Sequence, residues 1–205
     1  IPAGNEYSYL ETPATKVLVA PYEAKQIYMA QISNLDKKYD PAIEPTRELY
    51  NEYFGGGMNS IVFQEMRETR GLAYSAWASI MPPSYLKYPY VLRTQIATQN
   101  DKMIDAVTTF NDIINNMPES EAAFKLAKDG LTNRLRTERI IKGDIIWSYI
   151  NAQDLGQNVD PRIKLYNDIQ NMSLKDIVDF QKQWVKGRTY VYCILGDKKD
   201  LELDK

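Results

Sequence analysis

The 205-residue sequence contains no histidine and a single cysteine, Cys193. Most hydrolytic zinc sites bind the metal through histidine nitrogen, and serine triads use histidine as the general base. The chain cannot build either centre from its own side chains, and one thiol excludes a thiolate cluster. A carboxylate site for Mg²⁺ or Ca²⁺ stays open, but no dense run of Asp and Glu has the spacing of such a site. We therefore expect no metal site and no cofactor in this chain.

Long apolar runs and an excess of one charge are also missing. No apolar run approaches the roughly 20 residues that span a bilayer, so we expect no membrane span. The formal net charge is only -2, which gives no general attraction to nucleic acid. The sequence begins at Ile1 without an initiator methionine or a signal peptide, so we expect a piece of a longer protein. The sequence does not indicate a compartment.

Hydrophobic patterning predicts five strands and a series of helices. The predicted strands cover residues 16–20, 26–33, 72–80, 88–98 and 189–196, and a turn at residues 21–24 predicts that the first two form a hairpin. Predicted helices cover residues 46–54, 59–69 and 145–155, a short segment from residue 160, and apolar stripes within 103–114, 124–135 and 177–184. The glycines at 55–57 predict a helix stop, and Ser173 with Asp176 predicts a capped helix start. The charged tail at 197–205 is expected to be peripheral.

The order of these elements predicts the fold class. Hairpins without regular β-α-β alternation favour an α+β fold, a mainly antiparallel sheet with helices packed on one face. Hydrophobic residues make up 44% of the chain, enough for a real core at this length. No repeat or linker divides it, so we expect residues 1–205 to form one domain.

Residues 53–78, YFGGGMNSIVFQEMRETRGLAYSAWA, carry the chemical information. The triple glycine lacks the Walker and dinucleotide-binding patterns, so a phosphate role is disfavoured. A tight turn at Gly71 separates Arg67, near a helix end, from Tyr74, at a strand start, and can bring both side chains to one rim. The arginine cation and the tyrosine hydroxyl could together hold a peptide carbonyl. From the residues alone, structural roles are favoured, because arginine opposes a helix dipole and tyrosine is common in strands.

The same run resembles the second-half domain of the pitrilysin-type zinc peptidases, the family of insulin-degrading enzyme and mitochondrial processing peptidase. It matches that family's order of a glycine-rich loop, a helix ending in Arg-Glu-x-Arg-Gly, and Leu-Ala-Tyr. The resemblance implies a metallopeptidase half-domain fold, as in LuxS-like and processing-peptidase domains. Its specific part is about 25 residues, although the expected element order extends over most of the chain.

The resemblance also implies a division of labour. Such enzymes pair two similar halves around a closed chamber, and the zinc half carries the inverted motif His-x-x-Glu-His. The chain lacks histidine, so zinc is expected in a partner half, either fused to it or a separate subunit. The resemblance implies that Arg67 and Tyr74 are auxiliary catalytic residues that bind the carbonyl and the transition state. Gly55, Gly56 and Gly57 are implied to bind the peptide substrate along the chamber wall.

Other candidate sites have simpler explanations. Glu65 and Glu68, three apart on a helix, favour solvated surface charge over an acid/base pair. The aromatic cluster Tyr85, Tyr88 and Tyr90 with Arg93 favours ordinary strand packing over base stacking. The charges between residues 121 and 139 alternate in sign, which is typical of a solvated helix face. An edge strand could accept an extended peptide, but the sequence does not show which strand lies at the edge.

Three functional hypotheses follow. The first is the substrate-binding, non-zinc half of a zinc-dependent metalloendopeptidase, inactive by itself. The alternative is a non-catalytic structural or interaction module of the same family, since some relatives are non-catalytic in one or both halves. A third is a free-standing peptide-binding domain. The sequence does not give the peptide substrate or the cleavage preference.

Overall fold

The computed structural model describes residues 9–197, which form a five-stranded mixed sheet covered by helices. The predicted peripheral tail falls outside this range, apart from Asp197. The sheet order is β1-β5-β2-β4-β3, with all neighbouring pairs antiparallel except β1 and β5. The strands are β1 (Lys16–Pro21), β2 (Gln26–Lys38), β3 (Ser75–Met81), β4 (Pro89–Gln99) and β5 (Val191–Gly196).

The predicted hairpin between the first two strands is wrong. Strand β5 lies between them, pairing in parallel with β1 and antiparallel with β2. Every residue of β1 is exposed, whereas Ile194 of β5 is buried. The turn residues after β1 predict only a local reversal of the chain, not which strand pairs with β1. Burial decides the pairing, because the strand with the buried apolar residue takes the inner position.

The helices agree closely with the predicted segments. Their bounds are α1 (Glu44–Phe54), α2 (Ile61–Phe63, continued as a π-helical turn over Gln64–Thr69), α3 (Met103–Asn115), α4 (Glu121–Thr137), α5 (Gly143–Asp154), α6 (Pro161–Ile169) and α7 (Leu174–Trp184). The α+β fold class predicted from the element order is confirmed.

The core lies between the sheet and these helices. Tyr50 of α1 is fully buried and stacks against Phe54, and its ring lies 5.2 Å from that of Phe180 on α7. Phe180 in turn stacks on Trp184. Alternate residues of β2, such as Ile27 and Met29, face this cluster, as expected for a half-buried strand.

Side chains of α1 cover the outer edge of β3. The Asn51 amide donates to the Ile80 carbonyl at 3.0 Å and accepts from the Ile80 amide at 2.8 Å. The buried Arg47 guanidinium also donates to that carbonyl at 2.9 Å. Its ion pairs with Glu44 and Glu48 raise the pKa of Arg47 despite burial. The edge next to the candidate site is thus partly closed, which limits pairing with another strand there.

Candidate functional site

The helix that carries Arg67 is fixed at its start. Ser60 caps the helix by accepting a hydrogen bond from the Phe63 amide, and the Gln64 side chain donates to the Met58 carbonyl at 2.6 Å. The backbone then widens into the π-helical turn that contains Arg67. Such turns are rare in proteins overall, and many of those that occur lie at functional sites.

The loop between helix and strand is held by backbone hydrogen bonds. Gly71 adopts a positive φ of 58°, and the Leu72 amide then donates to the Met66 carbonyl at 2.8 Å. The left-handed conformation favours glycine at this position. The Tyr74 amide donates to the Ala97 carbonyl of β4, also at 2.8 Å. The backbone of Tyr74 is therefore tied to the sheet, although its side chain is exposed.

Arg67 and Tyr74 lie side by side at the rim. The Arg67 guanidinium carbon is 5.6 Å from the centre of the Tyr74 ring and 5.1 Å from that of Phe63. This geometry is typical of cation–π contacts. Tyr74 is 69% exposed, and the Arg67 side chain is 45% exposed. The structure brings together the two residues that the sequence placed at one rim.

The donors of this pair face solvent. Glu68 forms an exposed ion pair with Arg67 at 3.7 Å, and within residues 9–197 neither the Arg67 guanidinium nor the Tyr74 hydroxyl makes a side-chain hydrogen bond. Two aromatic faces hold a cation beside a neutral hydroxyl donor. The two side chains can donate hydrogen bonds to a carbonyl oxygen and stabilise negative charge on it, but they supply no nucleophile or general base.

The three glycines have different surroundings. A Cβ on Gly55 would lie 2.3 Å from the Ala78 carbonyl oxygen, and one on Gly56 would lie 2.8 Å from the Asn51 carbonyl oxygen. A Cβ on Gly57 would meet nothing within 4 Å. Close internal packing explains Gly55 and Gly56. Gly57 has open space beside it, so substrate contact by the loop stays a prediction.

The other sequence candidates do not form sites. Glu65 pairs with Arg70 at 3.4 Å, as expected for surface charge. Tyr90 is buried, and burial together with the hydrogen bond it donates to Glu44 at 2.6 Å raises the pKa of Tyr90. Arg93 lies over Trp77. The proposed aromatic cluster is therefore divided between the core and the surface.

A groove between α5, α6 and the start of α1 was not predicted. It has a volume of about 440 Å³ and its lining includes Tyr39, Pro45, Ser148, Ala152 and Leu165. Burial, followed by interaction with Glu44, raises the pKa of Tyr39 to about 12. The apolar run at residues 145–150 marks α5 in the sequence, but the sequence does not show which side of that helix faces the groove.

No group of three or more His, Cys, Asp or Glu in the described part of the chain could hold a metal ion. The residues present do not fit zinc. No helix between residues 9 and 197 is both long enough and apolar enough to cross a membrane.

The five-stranded mixed sheet with its cover of helices is the fold of peptidase M16 inactive domains. The profile described as the peptidase M16 inactive domain matches residues 8–131, more than half of the chain. The chain therefore belongs to this family, which confirms the resemblance carried by residues 53–78.

Two of the similar proteins are solved structures, and they share the fold. A non-peptidase homologue, YmxG of Helicobacter pylori, is 27% identical over 97% of this chain and 47% of its own length. The peptidase M16 inactive domain from Pseudomonas fluorescens superposes with a TM-score of 0.76 at 15% identity, over 96% of this chain and 47% of that one. A protease from Helicobacter pylori gives 0.73 at 10% identity, over 95% and 47% respectively. The chain thus spans about half the length of these relatives.

Proposed function

We propose that this chain is the substrate-binding, non-zinc half of a zinc-dependent metalloendopeptidase. The exposed Arg67–Tyr74 pair carries the proposal, because it presents two kinds of donor at one rim, and no side-chain hydrogen bond from residues 9–197 competes for them. The partner is a zinc-bearing half, fused or separate, which would supply the hydrolytic chemistry. The ligand is an extended peptide.

The two residues would act on the scissile carbonyl. The Arg67 guanidinium contacts the Phe63 and Tyr74 rings, and its ion pair with Glu68 is exposed and long at 3.7 Å. The backbone amide of Tyr74 is held by a hydrogen bond to the Ala97 carbonyl. Donors that are already positioned lose little freedom when negative charge develops on the carbonyl oxygen, so their benefit is concentrated in the transition state.

Tyr74→Phe in the complete enzyme tests this role. Loss of one donor to the developing oxyanion is expected to lower kcat by roughly 100-fold or more, with a smaller rise in KM. Tyr22→Phe is the matched control, since Tyr22 is also exposed but lies beyond β1. Unchanged turnover in Tyr74→Phe would remove Tyr74 from the mechanism.

A second candidate is a non-catalytic module of the same family. It is favoured by the relative YmxG, which is named a non-peptidase homologue. The companion half distinguishes the two functions. A companion with His-x-x-Glu-His and measurable peptide hydrolysis supports the first, whereas a companion without that motif, in an assembly that forms but does not cleave peptides, supports the second.

A further inference from the structure

Helix α5 carries its apolar side chains on the outside. None of its residues is buried, and Ile145, Ile146, Trp147 and Tyr149 are all more than half exposed, Trp147 at 65%. A surface helix of a globular protein ordinarily turns its apolar stripe toward the core. The described part of the chain therefore leaves these apolar side chains of α5 uncovered.

The side of α5 that faces α6 is mixed, because Ile145 and Tyr149 line a second cavity there together with Ser148 and Ala152. Ser148, Asn151 and Ala152 line the groove of about 440 Å³ that separates α5 from α6 and α1. Their spacing of three and four residues places them on one side of the helix. Within the described residues no α5 side chain makes a hydrogen bond or an ion pair. The helix is thus loosely attached to the body of the domain.

The outward side is uncharged. Residues 145–152, IIWSYINA, contain no Lys, Arg, Asp or Glu, and the charges inside the helix are Asp144 and Asp154 near its ends. Exposed Ile141 extends the patch before the helix. A contiguous apolar patch marks an interaction site. A membrane-surface helix would carry Lys or Arg on its polar face, and α5 has none, so a protein surface is the better occupant.

The relatives are about twice as long as this chain. The match to YmxG covers 97% of this chain but 47% of that protein, and the similar structures give the same proportion. Each therefore carries a further segment of about equal length. A partner within the same chain or stable assembly has a high effective concentration, which favours it over a second copy.

We propose that α5, together with Ile141, is the contact by which this domain docks onto an uncharged, apolar surface of its companion half. The proposal relies on the proposed function only for the existence of that half. Docking covers the exposed apolar face of α5 and leaves the Arg67–Tyr74 rim, which lies on other elements, open to a peptide.

Thiol accessibility in the complete protein tests the contact. Ile146→Cys and Leu126→Cys are introduced separately with Cys193→Ser, and labelling by a polar maleimide is timed. Ile146 and Leu126 are comparably exposed here, at 62% and 54%, and Leu126 lies on α4 next to Lys125. The thiol at 146 is expected to react at least about tenfold more slowly than the thiol at 126, because it becomes reactive only when the contact opens.

A difference of less than about threefold between the labelling rates at residues 146 and 126 would overturn the proposed docking contact. Bifunctional cross-linking from the Ile146→Cys thiol identifies the occupant. Links to the companion half support the proposal. Links between two copies of this domain, or protection that appears only with phospholipid vesicles, contradict it. Because labelling needs no substrate or turnover, a failure here is distinguishable from failure of the Tyr74→Phe test.

Discussion

At the scale of single residues, close packing explains why glycine occupies position 55 of the glycine-rich loop. Gly55 lies against the backbone of Ala78 in β3, and Gly57 lies in open space. Ala78 is four residues beyond Tyr74, or roughly 13 Å along an extended chain. The loop therefore lies against the same strand as the rim, and Gly57 is its position with open space beside it.

Gly55→Ala and Gly57→Ala form a matched pair for this explanation. A methyl group at residue 55 would collide with backbone atoms of β3, and we expect a loss of about 1–3 kcal/mol in the free energy of unfolding. The change at residue 57 is expected to stay within about 0.5 kcal/mol. Urea unfolding of the two variants measures both values. Equal stability of the two variants would contradict the packing explanation.

The sequence predicted the Arg67–Tyr74 pair because a helix end, a glycine turn and a strand start are local features. It did not predict the π-helical turn or the Phe63 ring beside the guanidinium. Those depend on how the whole helix packs against β3. It also did not separate Gly55 from Gly57, since the contact with Ala78 joins residues distant in the chain.

Among the elements, α7 shows how a short motif fixes a helix start. The Ser173 amide and hydroxyl each donate to Asp176 at 2.8 Å, and the amide bond in particular lowers the pKa of that carboxyl. The predicted capping arrangement is confirmed. It begins a helix whose apolar face supplies Ile177, Phe180 and Trp184 to the core.

Asp176→Asn is expected to destabilise the protein by about 1 kcal/mol at neutral pH. The folded-state pKa is lowered, so the ionised carboxylate contributes above the ordinary Asp pKa of about 3.9. That contribution is lost as the pH falls through the folded-state value. The stability difference between wild type and variant should therefore shrink in acid. Asp179→Asn on the same helix is the control, with an expected cost of about 0.3–0.5 kcal/mol. A pH-independent difference for Asp176→Asn would contradict this account.

The hydrogen bonds from α1 to the edge of β3 also give a testable prediction about the stability of that edge. In Asn51→Ala the Ile80 carbonyl keeps its bond from Arg47, but the buried Ile80 amide loses its acceptor. We expect a cost of about 1–3 kcal/mol in the free energy of unfolding and faster hydrogen exchange at Ile80. Asn151→Ala, on α5, removes no hydrogen bond and should change stability by less than about 0.5 kcal/mol. An unchanged exchange rate at Ile80 would show that Asn51 does not protect this edge.

The sequence predicted most element positions but not the sheet order. Helical and strand periodicities are local, so α1, α3, α4 and α7 could be located from apolar spacing. The parallel pairing of β1 with β5 joins residues about 175 positions apart, as for Lys16 and Val191. No local pattern specifies such a contact, and the turn after β1 indicated the wrong neighbour.

At the scale of the whole molecule, two surfaces are left for other partners. The Arg67–Tyr74 rim presents cationic and hydroxyl donors, and α5 presents an uncharged apolar face. Neither surface completes a catalytic centre, and the residues present do not fit a zinc site. These are the two surfaces through which we propose that the chain binds a peptide and docks onto a companion half.

Reconstitution of peptide hydrolysis tests this division of labour most directly. The separately purified chain, the zinc-bearing half and their mixture are assayed with an unstructured peptide, and bound zinc is quantified in each. The account predicts neither zinc nor cleavage for this chain alone and restored cleavage in the mixture, with far lower kcat when the chain carries Tyr74→Phe. Stoichiometric zinc in this chain, with peptide cleavage in the absence of the other half, would contradict it.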